Sequence, residues 1–280
     1  MSYHAESLVF SLQERARELR LDSIEMIYRR QAGHPGGSLS AAEIMAVLFF
    51  HEMRLDPARP DWPERDRFVL SKGHASAVLY SALARRGFFP LEDLVLWGDM
   101  ACHLQGHPDR IKTPGVEMTS GILGHGVAIG TGLALAARLD GRAYRTYTLL
   151  GDGECQGGVV WEGAMAAAKY QLANLVAIVD CNGVQLDGPV HQIMPLEPLA
   201  EKWRAFNWAA LEVNGHDVRQ LMDALDTARQ IHDRPTVILA RTTKGKGVSF
   251  MENDAAWHGV APNAIQYQLA MAELLGKEAR

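Results

Sequence analysis

Two different periods govern where apolar residues fall along this chain. From Leu8 they recur at helical spacing, as Leu8, Leu12, Ala16, Leu19, Ile24 and Ile27, which predicts an opening amphipathic helix. "SAAE" at 40–43 predicts a second helix starting at Ser40, with Glu43 completing a capping box. "RFVL" at 67–70 reads as a short buried strand and residues 74–86 as the helix after it. Glycine, proline and polar residues dominate 98–120, a loop of a length that is usually functional or disordered. "GHGVAIG" at 124–130 reads as a loop entering an Ala/Gly-rich helix. Beyond it, strands are expected at 145–150, 175–180, 209–213 and 236–241. Helices are expected at 159–170, 199–206, 217–231 and 264–276. Strand and helix in turn predict a single α/β domain over 1–280. Its central, mostly parallel sheet is covered by helices on both faces, with function at the carboxyl ends of the strands.

Composition narrows the function classes. A net charge of −5 offers no broad basic face to nucleic acid. The three cysteines, Cys102, Cys155 and Cys181, lack CxxC spacing and predict reduced thiols. The first residues lack the progression of a secretion signal, and no apolar run reaches the ~20 residues of a membrane span. A cytoplasmic protein without membrane or nucleic-acid partners is expected.

The chemistry concentrates in "LLGDGECQGGVVWEG" (149–163), where an apolar run delivers a carboxylate between two glycines. The next predicted strand ends just before Asn182, and one helix joins the two, so this βαβ unit can bring Asp152 and Asn182 together. A carboxylate and an amide oxygen are hard ligands suited to Mg²⁺, which retains phosphate oxygens in its octahedron. Gly151 and Gly153 would let a phosphorylated ligand approach the backbone. The competing reading is a tight turn whose Asp caps the following helix. "TTKGKG" (242–247) lacks P-loop spacing and reads as a cleft-edge loop, while Trp161 reads as core, with a subunit interface as the alternative.

His34, His74, His107, His125, His216 and His258 all adjoin glycine. Each alone reads as a solvated loop residue; together, several imidazoles around one pocket could hold hydroxyls and move protons. A zinc site from Cys102, His103 and His107 competes with this, but lacks a recognisable fourth ligand.

Seven motifs in order resemble the diphosphate-binding, N-terminal half of transketolases: "GHPGG", "DRFVLSKGHAS", "QGHP", "PGVEMTSGILGHG", "GDGECQ", "DCNG" and "WHG". The resemblance implies thiamine diphosphate as cofactor, with Mg²⁺ or another divalent cation such as Ca²⁺ or Mn²⁺. It implies that Asp152, Asn182 and the Val184 carbonyl hold the metal. Gly153 and Asn182 would contact the diphosphate, with His74 and His258 nearby. Gly121, Ile122 and Leu123 would approach the aminopyrimidine side. His34, His107 and His258 would line the sugar channel as catalytic groups.

Gly157 departs from the family's usual glutamate, which is associated with coupling across a dimer interface, although Glu162 is nearby. Ile122 and His125 replace the proline and glutamine of the usual turn, whose glycines remain. Full-length members continue into a pyrimidine-binding domain that carries the cofactor-activating glutamate and most sugar-phosphate contacts. The expectation is therefore the N-terminal subunit of a split transketolase, transferring a two-carbon ketol unit between sugar phosphates. It would need a complementary C-terminal subunit, in a heterodimer or heterotetramer. The alternatives are the α subunit of a 2-oxo acid dehydrogenase and a non-catalytic scaffold subunit; the "GHPGG" and "SKGHAS" histidines favour the transketolase.

Overall fold

The run Leu175–Cys181 is buried at every position, as a strand covered on both faces must be. A computed structural model describes residues 4–277, so the ends of the expected 1–280 domain lie outside the described residues. The first half carries α1 (Glu6–Arg30), α2 (Pro35–Ser40), α3 (Ala42–Val47), β1 (Arg67–Leu70), α4 (Ser76–Arg86) and α5 (His125–Leu139). Then come β2 (Thr146–Gly151), α6 (Gly158–Lys169), β3 (Leu175–Cys181) and a small hairpin, β4 (Val184–Gln185) with β5 (Gly188–Pro189). The chain continues through α7 (Val190–Ile193), α8 (Leu199–Ala205), β6 (Ala209–Asn214), α9 (Val218–Gln230), β7 (Thr236–Arg241) and α10 (Ala264–Leu274).

Five strands form one sheet in the order β1-β2-β3-β7-β6, and every neighbouring pair is parallel. Alternation within each strand sends side chains to two cores. Leu149, Val176, Ile178 and Ile238 join residues of α1, α3, α4 and α9 on one face. Leu150, Ala177, Val179 and Leu239 join α5, α6 and α8 on the other. The α/β fold with helices on both faces is thus as the alternation of elements predicts. No helix among the described residues is long and apolar enough to cross a membrane.

The expected helix start at Ser40 is wrong. A helix already begins at Pro35, and Ser40 is its last residue. The pattern looked like a capping box, but both of its side chains serve tertiary contacts instead: Ser40 Oγ donates to Asp180, and Glu43 accepts from Arg20. The small hairpin at 184–189 had no signal in the periodicity; it is only two residues per strand.

Candidate active site

The carboxyl ends of β1, β2, β3 and β7 converge on a cavity of about 300 Å³. Asp152 follows β2 directly, and its carboxylate accepts from the Gly153 N–H (2.8 Å) and, across to the neighbouring strand end, from the Gly183 N–H (2.7 Å). Gly183 has φ +74°, a conformation that glycine adopts freely, and this reversal carries the chain from Asn182 to Val184 on the same wall. Asn182 Nδ2 donates to Asp180 (3.1 Å), while its Oδ1 accepts from the Val184 N–H (3.2 Å). Asp152, Asn182 and Val184 therefore line one cavity, with Gly153, Leu123, His74 and His258.

Two lysines share this wall. Lys72 is 1% exposed; its Nζ donates to the Gly37 carbonyl (2.8 Å) and pairs with Asp180. Lys244 is 2% exposed and donates to the Val184 carbonyl (3.0 Å) and to His258 Nδ1 (2.7 Å). Burial, reinforced by the Lys72 charge, lowers Lys244 to about 8. Burial also raises Asp152 to about 6, against the pull of the Gly183 N–H. Burial alone would raise Asp180, but Lys72, Ser40 and Thr242 hold it below the usual carboxylate range.

Four of the glycine-flanked histidines form one cluster. His34 is 5.1 Å from His74, 5.5 Å from His258 and 6.4 Å from His107, ring centre to ring centre. His74 stacks on His258 at 5.3 Å. Burial, then Lys244, pushes His258 down to about 4; burial, then Lys72, holds His74 well below its ordinary value. Burial, then His107, lowers His34 as well. The Lys244 contact makes His258 Nδ1 an acceptor and leaves the ring proton on Nε2. His125 is exposed and outside the cluster, and His216 is engaged by Glu43 and the Thr243 N–H.

The turn at Gly121, Ile122 and Leu123 runs beside the cavity, but only Leu123 lines it; Ile122 and Leu123 are exposed. Gly121 faces His107, whose Cδ2 would lie 3.8 Å from an added Cβ. Glu154 fixes the end of this turn. Its buried carboxylate accepts from Ser71, from the Gly124 N–H (2.6 Å) and from the Gly151 N–H (3.0 Å). Gly124, at φ +87°, admits no side chain, because a Cβ would meet Val159 at 2.6 Å. Ser120, just before the turn, keeps a buried hydroxyl with no hydrogen-bond partner in the protein.

Cys102, His103 and His107 do not gather: His103 pairs with Asp93, and His107 joins His34. Among the described residues the one cluster with metal-ligand spacing of His, Cys, Asp or Glu is His4, Asp223 and Asp226, far along the sequence from these motifs. Trp161 is only half-buried, packing on Trp203 and Phe206.

The donor set fits a magnesium diphosphate. Asp152, Asn182 and Val184 supply three hard oxygens, and the two ammonium groups beside them suit an anion. Lys72, Lys244, Glu154 and Asp180 were not singled out in the sequence. The signal for Lys244 was positional: "TTKGKG" follows β7 at the same sheet edge as Asp152 and Asn182.

A family model described as "Transketolase, thiamine diphosphate binding domain" matches residues 11–276. This chain belongs to the transketolase family. It is 43% identical over 263 residues to a 6-deoxy-6-sulfo-D-fructose transketolase subunit of Clostridium sp. strain MSTE9, spanning 94% of this chain and 96% of that relative. To one of the subunits of the apulose-4-phosphate transketolase of Phocaeicola vulgatus it is 41% identical, over 95% and 94% of the two chains. Human transketolase is 40% identical across 92% of this chain, which spans 41% of the human protein. The crystal structure of Campylobacter jejuni transketolase matches with a TM-score of 0.90 and 34% identity, across 98% of this chain and 43% of that one. This transketolase-family chain thus matches subunit-length relatives nearly end to end and less than half of the single-chain ones.

Proposed function

We propose that this chain is the diphosphate-binding subunit of a two-chain, thiamine-diphosphate- and Mg²⁺-dependent transketolase of the cytoplasm. The observation that carries the reading is the shared wall of Asp152, Asn182, Val184, Lys72 and Lys244 beside four clustered histidines. Asp152, Asn182 Oδ1 and the Val184 carbonyl would hold the metal. Lys72 and Lys244, with Gly153 and His74, would hold the diphosphate oxygens. When bound, thiamine diphosphate supplies the nucleophilic carbon and the electron sink for breaking and remaking a carbon–carbon bond.

The chain's own part is to position, desolvate and move protons. His34, His107 and His258 would take the substrate hydroxyls; burial, then the neighbouring His107 and Lys244, lowers His34 and His258 and favours their neutral forms, able both to accept and to donate. His258 would donate from Nε2, because Lys244 occupies Nδ1. Subunit naming among the length-matched relatives supports a complementary chain, which would carry the cofactor-activating carboxylate and most contacts to the sugar phosphates.

The test mixes purified chain with its complementary subunit, Mg²⁺ and thiamine diphosphate, and follows ketol transfer between a ketose phosphate and an aldose phosphate. Activity is expected from the mixture and from neither chain alone. Full activity of this chain alone refutes the two-chain reading, and oxidative decarboxylation of a 2-oxo acid in place of ketol transfer refutes the reaction.

A further inference from the structure

Asp180 has no exposed surface and does not line the cavity, yet it collects hydrogen bonds from four segments. Its Oδ2 accepts from Ser40 at the end of α2 (2.6 Å), from Lys72 after β1 (2.5 Å) and from Asn182 Nδ2 (3.1 Å). Its Oδ1 accepts from Thr242 after β7. The carboxylate is thereby pinned in position and in rotation.

An ionised carboxylate only accepts, so the end of the Asn182 amide that meets it must be the NH₂. The Val184 N–H imposes the same orientation from the other side, because it needs an oxygen at Asn182 Oδ1. The two ends of an asparagine amide have nearly the same shape but opposite chemistry. The oxygen has lone pairs for a cation, whereas the nitrogen's pair is delocalised into the carbonyl. A half-turn of this one side chain would replace a ligand by a pair of N–H donors.

We propose that Asp180 is a positioning residue that selects which end of the Asn182 amide faces the cation, with Lys72 neutralising its charge. The proposal deepens the functional reading above and rests on Asn182 being a metal ligand. It gives the first residue of "DCNG" a task distinct from that of the third.

The experiment measures Mn²⁺ binding to the full chain with inorganic pyrophosphate, by electron paramagnetic resonance, alongside circular dichroism and thermal melting. Asp180→Asn presents an amide to an amide and removes the carboxylate's share of the preference, leaving the Val184 N–H alone to hold the orientation. Metal affinity is expected to fall about tenfold or more, the range found when groups supporting a ligand are lost. The exchange variant Asp180→Asn/Asn182→Asp keeps one carboxylate in the pair and offers oxygen at either end of residue 182. It should restore affinity to within about threefold of the parent, whatever happens to the melting temperature.

A folded Asp180→Asn chain with parental affinity overturns the proposal, as does an exchange variant that binds metal no better than Asp180→Asn. If Asp180→Asn does not fold, the exchange variant decides against the parent: Mn²⁺ affinity within about threefold supports the proposal and a tenfold or larger loss overturns it. Asp152→Ala separates the two levels of the argument. Parental Mn²⁺ affinity in that variant defeats the metal site itself, independently of Asp180.

Discussion

Replacing Lys244 by methionine should weaken diphosphate binding without weakening the fold. The ammonium is almost wholly buried, and its hydrogen-bond acceptors, the Val184 carbonyl and His258 Nδ1, are both neutral. Lowering it from 10.5 to about 8 corresponds to about 3 kcal/mol against the charged form. Methionine keeps an apolar stem against Gly36, where an added Cβ would lie 2.9 Å from the Lys244 stem carbons. The buried Val184 carbonyl loses a donor, at a cost of about 1–3 kcal/mol, while the half-buried His258 ring can be met by water, so the net change in stability at pH 7 is between about zero and a 2 kcal/mol gain. Binding loses a charge-assisted contact of about 1.5–3 kcal/mol, roughly ten- to a hundred-and-fifty-fold in affinity. The sign of the pH dependence follows from the lowered value. Between about 8 and 10.5 the unfolded chain holds the extra proton, so parental stability climbs relative to the variant as pH rises through that window. Titration calorimetry with magnesium pyrophosphate and melting without added ligand measure the two effects. Unchanged affinity, or lost affinity accompanied by a clear drop in melting temperature, refutes the reasoning.

Asp152→Asn should abolish most of the Mg²⁺ dependence of pyrophosphate binding, an effect of at least about tenfold in calorimetry. It should leave the melting temperature at pH 7 no lower than the parent's, since relief of the unfavourable buried charge, whose carboxyl is raised to about 6, offsets the about 1–3 kcal/mol lost when the new amide turns an N–H toward Gly153 or Gly183. Glu154→Gln turns one N–H donor toward either Gly124 or Gly151, costing about 1–3 kcal/mol and speeding amide hydrogen exchange at Gly124. A wild-type exchange rate in the folded variant would show that Glu154 does not hold the turn. Because His258 is lowered to about 4, the unfolded chain binds more protons between there and 6.5. The parent should therefore lose ligand-free stability relative to His258→Asn as pH drops through that window; a melting-temperature difference between the two that stays constant with pH contradicts this.

What the sequence displayed and what it hid follow from the range of the forces involved. The strands were legible because a doubly covered strand needs an unbroken apolar run, as residues 175–179 of β3 have. The convergence of Asp152 and Asn182 was legible because a short βαβ unit fixes neighbouring strand ends; in the fold Gly151 and Asp180 are register partners. The histidine cluster was visible only as a count of glycine-flanked imidazoles, since nothing local says that residues 34, 74, 107 and 258 meet. The lysines were invisible for the opposite reason. A lysine in a glycine-rich polar loop has the local composition of solvated surface, and Lys244 is buried by a distant segment, through the Gly245 N–H on the Gly36 carbonyl (3.0 Å). The false capping box is the same lesson in reverse. Ser40 and Glu43 had a plausible local use, but long-range partners of opposite charge or donor character claimed both.

Charge pairing around the cavity separates the groups that maintain the fold from those aimed at a ligand. Glu43 is matched with Arg20 and His216, so those buried charges are satisfied within the chain, whereas Lys72, although paired with Asp180, lines the cavity and keeps one of its three N–H donors for a diphosphate oxygen. Asp152 and Lys244 are different: among the described residues neither has an ion pair within 4.0 Å, although both are nearly buried and line the same cavity. Burial shifts each toward its neutral form, the carboxyl upward and the ammonium downward. A chain under selection for stability alone would replace such charges with apolar groups or pair them. Glu154 likewise has no ion pair among the described residues, but three donors inside the chain hold its carboxylate; Asp152 and Lys244, of opposite sign on the same wall and not in contact, form the arrangement that a bound ion pair of reversed order satisfies. A divalent cation against Asp152 and a diphosphate against Lys244 would neutralise both at once, which neither half of that pair could do alone.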